Sequence, residues 1–287
     1  MRTSGGYGVV RTTLAICLMA AAWVGGGSGT AWAAEEPELQ ENRFSLGVGF
    51  ARVRFDTNFK FTDKDTGRDA FVDAEGTLGL PEKENIPVVF GRYRFSKKHA
   101  LGFSAFRVRR ESTLFADELN LGNFTITGEA TLSDETSFYY LNYTYTFLQD
   151  ERSRVLGSIG MYGLDLDYRL DLMGEILYKG VPLASDSYSR NASVFAPLPM
   201  VGLDAVFALT PRWSLATRIT LVGGKYQDVS ALVLDTAVRA RYAFSKHIGL
   251  ILGIKYFNAD ITIDKSDTKT EVSYGFDGIF IGVGMGF

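Results

Sequence analysis

The chain ends in Ile279-Phe-Ile-Gly-Val-Gly-Met-Gly-Phe287. Ile279, Ile281, Val283, Met285 and Phe287 alternate with Phe280, Gly282, Gly284 and Gly286. An extended backbone therefore carries an unbroken apolar row on one face and mostly bare backbone on the other. A lipid-embedded β-barrel uses such a strand: the apolar row meets acyl chains, and the terminal aromatic reaches the membrane edge. A buried strand of a soluble β-sandwich is the competing reading of this stretch taken alone.

The opposite end narrows the choice. Arg2 and Arg11 precede an apolar run from Leu14 to Val24, a Gly/Ser-rich stretch and Ala31-Trp32-Ala33. A charged leader, a short apolar segment and an A-x-A site define residues 1–33 as a signal peptide cut after Ala33. The apolar run is too short to span a bilayer as a helix. Ile16 stands where a lipoprotein signal would need a small residue before Cys17, so lipidation is not expected. Cleavage removes that only cysteine, leaving neither a disulfide nor a thiolate metal site. The whole chain has a net charge of −3, made more negative by loss of Arg2 and Arg11, which argues against nucleic acid as a partner. Residues 34–42 read as an acidic periplasmic tail and residues 43–287 as the barrel.

Period-two alternation then recurs about ten times. Examples are Phe44, Leu46, Val48 and Phe50; Tyr139, Leu141, Tyr143, Tyr145 and Phe147; and Leu250, Leu252, Ile254 and Tyr256. The apolar pattern changes parity in two strands, and β-bulges at Phe50-Ala51 and Ala105-Phe106 would turn Arg52, Arg54, Arg107 and Arg109 inward. Short turns follow Phe95, Phe147, Leu209 and Phe244, while long external loops are expected over residues 57–85, 112–130 and 171–196. The pairs Tyr93/Phe95, Tyr145/Phe147, Phe207/Leu209, Tyr242/Phe244 and Met285/Phe287 each precede a short turn or the chain end. They suit a lower girdle at the membrane interface, whereas a sandwich has no reason to place aromatics at every second turn. The expectation is an all-β, antiparallel, up-and-down transmembrane barrel of about ten strands.

The final residues resemble the C-terminal signature of Gram-negative outer-membrane proteins. That resemblance implies that Ile279, Ile281, Val283, Met285 and Phe287 are read by the barrel-assembly machinery. Tyr93-Arg-Phe-Ser-Lys-Lys-His99, Tyr143-Thr-Tyr-Thr-Phe-Leu-Gln-Asp-Glu-Arg152, Leu198-Pro-Met-Val-Gly-Leu-Asp204 and Leu209-Thr-Pro-Arg-Trp213 look like turn motifs of a Gram-negative outer-membrane β-barrel family with no assigned activity. More loosely, the chain is similar to the small OmpW- and OmpA-like barrels, which implies eight strands as the alternative count.

Facing assignments put Arg52, Arg54, Arg92, Arg94, Arg107, Arg109, Arg218, Arg239, Arg241 and Lys255 in the lumen with Asp165, Asp167, Asp204 and Asp235. Buried charges need partners or water, so the expectation is a salt-bridged interior or a narrow, charged path for small solutes. The loops offer a binding or adhesion module as an alternative. An enzyme acting on lipid or lipopolysaccharide is the third class. His99 and His247 both fall in Ser-Lys turns and read as turn residues rather than general bases. Gly157-Ser158-Ile159-Gly160 lacks nucleophile-elbow spacing, and Asp165 with Asp167 is the remaining carboxylate pair. Asp63, Asp65 and Asp69 surround Gly67 in the manner of a weak divalent-cation loop, without the spacing or distal glutamate of an EF-hand. No cofactor is expected. The expected surroundings are outer-membrane lipid and lipopolysaccharide, with the protein monomeric.

Overall fold

A computed structural model describes residues 42–65, 67–121, 124–182 and 187–287. The expected leader and nearly all of the expected acidic tail lie outside them. The strands are β1 (Phe44–Asp63), β2 (Arg68–Asp73), β3 (Lys83–Arg94), β4 (His99–Leu121), β5 (Phe124–Gln149) and β6 (Ser153–Tyr178). They continue with β7 (Val181–Pro182), β8 (Ser187–Ala208), β9 (Trp213–Tyr226), β10 (Val229–Ala243), β11 (Ile248–Asp264) and β12 (Thr268–Gly286). Ten form an antiparallel up-and-down ring that β1 and β12 close, from Ser45 opposite Gly286 to Asp63 opposite Thr268. Hairpin strands β2 and β7 flank β1 and β6. Phe44 and Phe287 exchange backbone hydrogen bonds of 3.1 and 2.7 Å, so the ends of the ring meet at one rim.

Four short turns share that rim, and each uses one device. Ser96 Oγ accepts from the amides of Lys98 and His99, and an Asp150 carboxylate oxygen accepts from those of Arg152 and Ser153. Thr210 Oγ1 accepts from Arg212 and Trp213, and Ser245 Oγ from His247 and Ile248. A short polar side chain thus satisfies turn amides that the ladder cannot reach. Above these turns, Val48, Phe50, Leu141, Ile159, Ile281 and Val283 form part of an outward apolar band. Among the described residues no helix is long and apolar enough to cross a membrane; the strands provide the crossing.

Halfway up, the surroundings of the two faces exchange. On β1 the outward row Phe44, Leu46, Val48, Phe50 continues as Arg52, Arg54, Asp56, while the inward row Gly47, Gly49, Ala51 continues as Val53, Phe55, Thr57, Phe59. Its register against β12 is unbroken, so the expected bulge at Phe50-Ala51 is absent. The same holds at Ala105-Phe106, where β4 stays in register with β5 from His99 to Ala116. Parity holds at both expected sites; the register shifts instead lie between Ala116 and Leu119 near the top of β4 and between Thr146 and Leu148 beside the β5–β6 turn. Above the bilayer, water lies outside and the apolar side chains turn inward.

The expected long loops are corrected in the same way. β4 and β5 run to Leu121 and from Phe124, and β6 and β8 run to Tyr178 and from Ser187, so the wall continues above the membrane as β-structure. Inside it lies a packed core that includes Phe59, Leu132, Leu164, Leu166, Tyr168, Ile261 and Val272. Full burial of such side chains contributes about 1.5–3 kcal/mol each. Above Met200, β8 loses its β9 partner where Pro197 and Pro199 lack amide donors.

Candidate functional site: a basic cavity beneath an aromatic roof

The segment between β2 and β3 does not loop outward; it folds into the upper barrel. Ala74, Leu78 and Leu80 are fully or almost fully buried, and the Ala74 and Leu80 amides donate to Thr57 O and Ala74 O at 3.0 Å each. Glu75 accepts from the Thr57 amide at 2.8 Å and from Arg110. Arg110, wholly buried, also donates through Nε and Nη2 to Asp134 Oδ2 at 3.0 and 2.6 Å and to Thr57 Oγ1 at 3.0 Å. Its guanidinium lies 4.1 Å from the centroid of the Phe55 ring. Burial alone would lower the Arg110 pKa, but the charges and hydrogen bonds around it reverse this and hold it above its usual value. Burial pushes the Asp134 carboxyl up, while Arg110 and the Thr136 hydroxyl pull it back. This latch ties the inserted strap to the wall.

Below the latch lies an aromatic roof. Phe106 stacks on Phe138 at 4.5 Å and Phe257 on Phe276 at 4.6 Å, with Phe138 edge-on to Phe257 at 5.3 Å. Beneath it, at the level of the apolar band, is a cavity of about 340 Å³. Its space comes partly from the glycines of the closing strands. A Cβ at Gly47 would run into the Phe90 ring, and one at Gly49 or Gly282 into Phe280. Both rings settle on bare backbone, and the lumen stays open beside them.

The structure brings only part of the expected charge set into this space. Arg92, Asp204, Arg218, Asp235, Arg239, Arg241 and Lys255 line it, and Arg94 shares the inward row of β3. Arg218 meets its cross-strand partner Asp204 at 2.5 Å, and Lys255 meets Asp235 at 2.9 Å. Both cations also lie near rings: Arg218 is 5.3 Å from the Tyr140 ring, and Lys255 is 5.2 Å from Phe106 of the roof. Arg154 lines the same cavity without having been expected there.

Six expected lumen residues face outward instead. Arg52 and Arg54 are exposed above the band, where Arg54 pairs with Asp277 at 3.0 Å. Arg107 and Arg109 share Glu135 at 3.1 and 3.4 Å. Asp165 and Asp167 lie on the outward row of β6, opposite the buried Leu164, Leu166 and Tyr168. The cause is common to all six: on the water-surrounded half of a strand, charges belong outside.

The remaining candidates are not gathered into a reactive centre. Asp63 and Asp65 stand at the β1–β2 turn and Asp69 within β2. Among the described residues no cluster of three metal-ligating side chains is present. His99 hydrogen-bonds through Nδ1 to the Tyr143 hydroxyl and stacks on Phe95 at 5.8 Å within the lower girdle. His247 lies in the β10–β11 turn. Arg110 and Glu75 were missed by sequence reasoning. The available signal was Arg109-Arg110, where consecutive arginines on a strand must face opposite ways.

No protein-family model and no curated protein sequence matches the chain. Solved structures do. The outer-membrane protease OmpT from Escherichia coli aligns with a TM-score of 0.51 at 12% identity, over 85% of this chain and 97% of that one. The outer-membrane protein OprG from Pseudomonas aeruginosa aligns with a TM-score of 0.38 at 12% identity, over 86% and 96%. Ail of Yersinia pestis aligns with a TM-score of 0.26 at 9% identity, over 83% and 98%. With the closed ring, the apolar band and the girdle, the fold is that of an outer-membrane-type transmembrane β-barrel. The likeness to OmpT shows this fold and carries nothing about chemistry.

Proposed function

We propose that the protein is a closed barrel of the outer membrane with a structural role and no free diffusion path along its axis. The supporting observation is the continuous filling above the cavity: aromatic roof, Arg110 latch, inserted strap and aliphatic core, with Phe138, Arg110, Leu78 and Leu166 all buried. Limited passage of a small solute is the second reading. It is favoured by the polar attachment of the strap, since Arg110 holds Glu75 by charge rather than by apolar packing alone. The binding-module reading loses its long loops but keeps the charged upper wall. For an enzymatic reading, both histidines stand at the end of the barrel opposite Arg110. We take the chain to be monomeric in lipid and lipopolysaccharide, with its terminal Ile279-to-Phe287 row serving assembly.

Planar-bilayer recording tests the closed barrel. The expected result is no large, stable conductance from the native chain. Porin-sized steps from correctly folded protein would end this reading.

A further inference from the structure

The ion pairs in the cavity leave an excess of positive charge. Asp204 and Asp235 are the carboxylates lining it: Arg218 pairs with Asp204 Oδ1, leaving Oδ2 without a hydrogen-bond partner, and Lys255 pairs with Asp235 Oδ2. Arg92, Arg239 and Arg241 also line the cavity, and among the described residues none makes an ion pair. Arg239 and Arg241 are two residues apart on one inward row of β10. Arg92 reaches the same space from β3, within Coulomb range of Arg94, Arg154, Arg218 and Arg241 and of one carboxylate, Asp204. Like charges gathered in one cavity repel unless an anion or water neutralises them.

Unsatisfied donors converge on this excess. The donors Arg92 Nε and Asn142 Nδ2 are buried without partners, as is the acceptor Asn142 Oδ1; Asn142 is only 2% exposed and also on the cavity wall. Arg92, Gly102 and Asn142 are successive register partners across β3, β4 and β5, so one glycine separates the two orphan groups laterally. Buried donors left unpaired each cost about 1–3 kcal/mol. Such a cost is usually explained by an unplaced water or ion.

We propose that this cavity binds a phosphate group, carried by a small organic molecule whose apolar body lies beneath the Phe106 and Phe138 rings. A tetrahedral dianion accepts from several directions at once, which suits guanidinium donors arriving from opposite walls. A planar carboxylate would leave more of them unmatched. The volume of about 340 Å³ exceeds what inorganic phosphate needs and is at the small end of ligand sites. A free phosphomonoester and a lipid headgroup share this chemistry. The proposal rests on the cavity being closed from above.

The test is calorimetric titration of the processed, folded protein in neutral detergent with phenyl phosphate. Sodium chloride at matched ionic strength is the control. Saturable binding is expected, weakened about tenfold or more in Arg239→Gln and in Arg241→Gln, and unchanged in Arg52→Gln, whose side chain is outside. Heat-modifiable gel migration checks that each variant is folded. Competition by phosphatidic acid, a lipid phosphomonoester, but not by phosphatidylcholine, would assign the site to a lipid headgroup. Absence of competition by either lipid would assign it to a soluble ester. No saturable heat, or equal affinity in folded Arg239→Gln and Arg241→Gln, overturns the proposal. A conducting pore in the bilayer experiment would instead refute the closed barrel, whereas calorimetry reads the site by itself.

Discussion

The two halves of β5 have one alternation and opposite chemistry. From Tyr139 to Phe147 the odd positions are apolar and outward, while the inward Tyr140, Asn142, Thr144 and Thr146 carry polar groups. From Ile126 to Phe138 the even positions are still inward, but now include Leu132 and Phe138, while Thr131, Ser133 and Glu135 face out. Side-chain direction keeps one alternation from Ile126 to Thr146; the solvent around it changes. Below, lipid rewards apolar groups outside. Above, water rewards them inside. The molecule is thus a membrane barrel continued upward as a water-surrounded barrel with a filled core.

The largest expected effect comes from the upper half. Arg110→Ala leaves Glu75 and Asp134 buried without their cation, at a cost of about 3–5 kcal/mol. It should also release the strap, read as a lower urea midpoint and new proteolysis between residues 74 and 82. An unchanged midpoint would mean that the latch does not hold the upper barrel together. Next, Leu166→Ala in the upper core should cost about 2–5 kcal/mol, whereas Ile281→Ala, facing lipid, should cost less. Equal losses would erase the contrast between the halves.

A charge placed at the two levels sharpens it further. Ile281→Arg in the apolar band should cost about 2–4 kcal/mol if that position lies near mid-bilayer. Arg52→Leu, just above the band, should stay within about 0.5 kcal/mol. Depth can be read directly: in a chain beginning at Ala34, Trp213 is the sole tryptophan. Brominated lipid should quench it, and should leave a tryptophan placed by Phe59→Trp in a Trp213→Phe background unquenched.

The smallest effect is a pH response at the upper tip. Hydrogen bonds and charges from Lys64 on Asp264, and from Lys269 on Glu271, hold both carboxyls below their usual range. Their stabilisation is present above the usual carboxylate pKa and is lost as pH falls through the lowered values. Because these groups are exposed, salt should abolish most of the effect. Limited proteolysis of the β11–β12 hairpin from pH 6 down to pH 3, at low and high salt, checks this.

The sequence by itself determined the ring. Strand alternation, the four Ser-, Thr- or Asp-led turns and the closing row ending at Phe287 are local signals. They point to about ten antiparallel strands, with eight as the alternative count, and to the membrane-facing girdle without reference to distant residues. Arg92, Asp204, Arg218, Asp235, Arg239, Arg241 and Lys255 were legible as inward for the same reason: each lies on the membrane half, opposite an apolar neighbour facing lipid. Only the tertiary structure decided the height at which the wall leaves the bilayer, and with it the outward facing of Arg52, Arg54, Arg107, Arg109, Asp165 and Asp167. It alone also decided that residues 74–82 turn inward to meet Arg110. The physical reason is that periodicity specifies which residues share a face, whereas what surrounds that face depends on the bilayer level and on contacts between strands far apart in the chain.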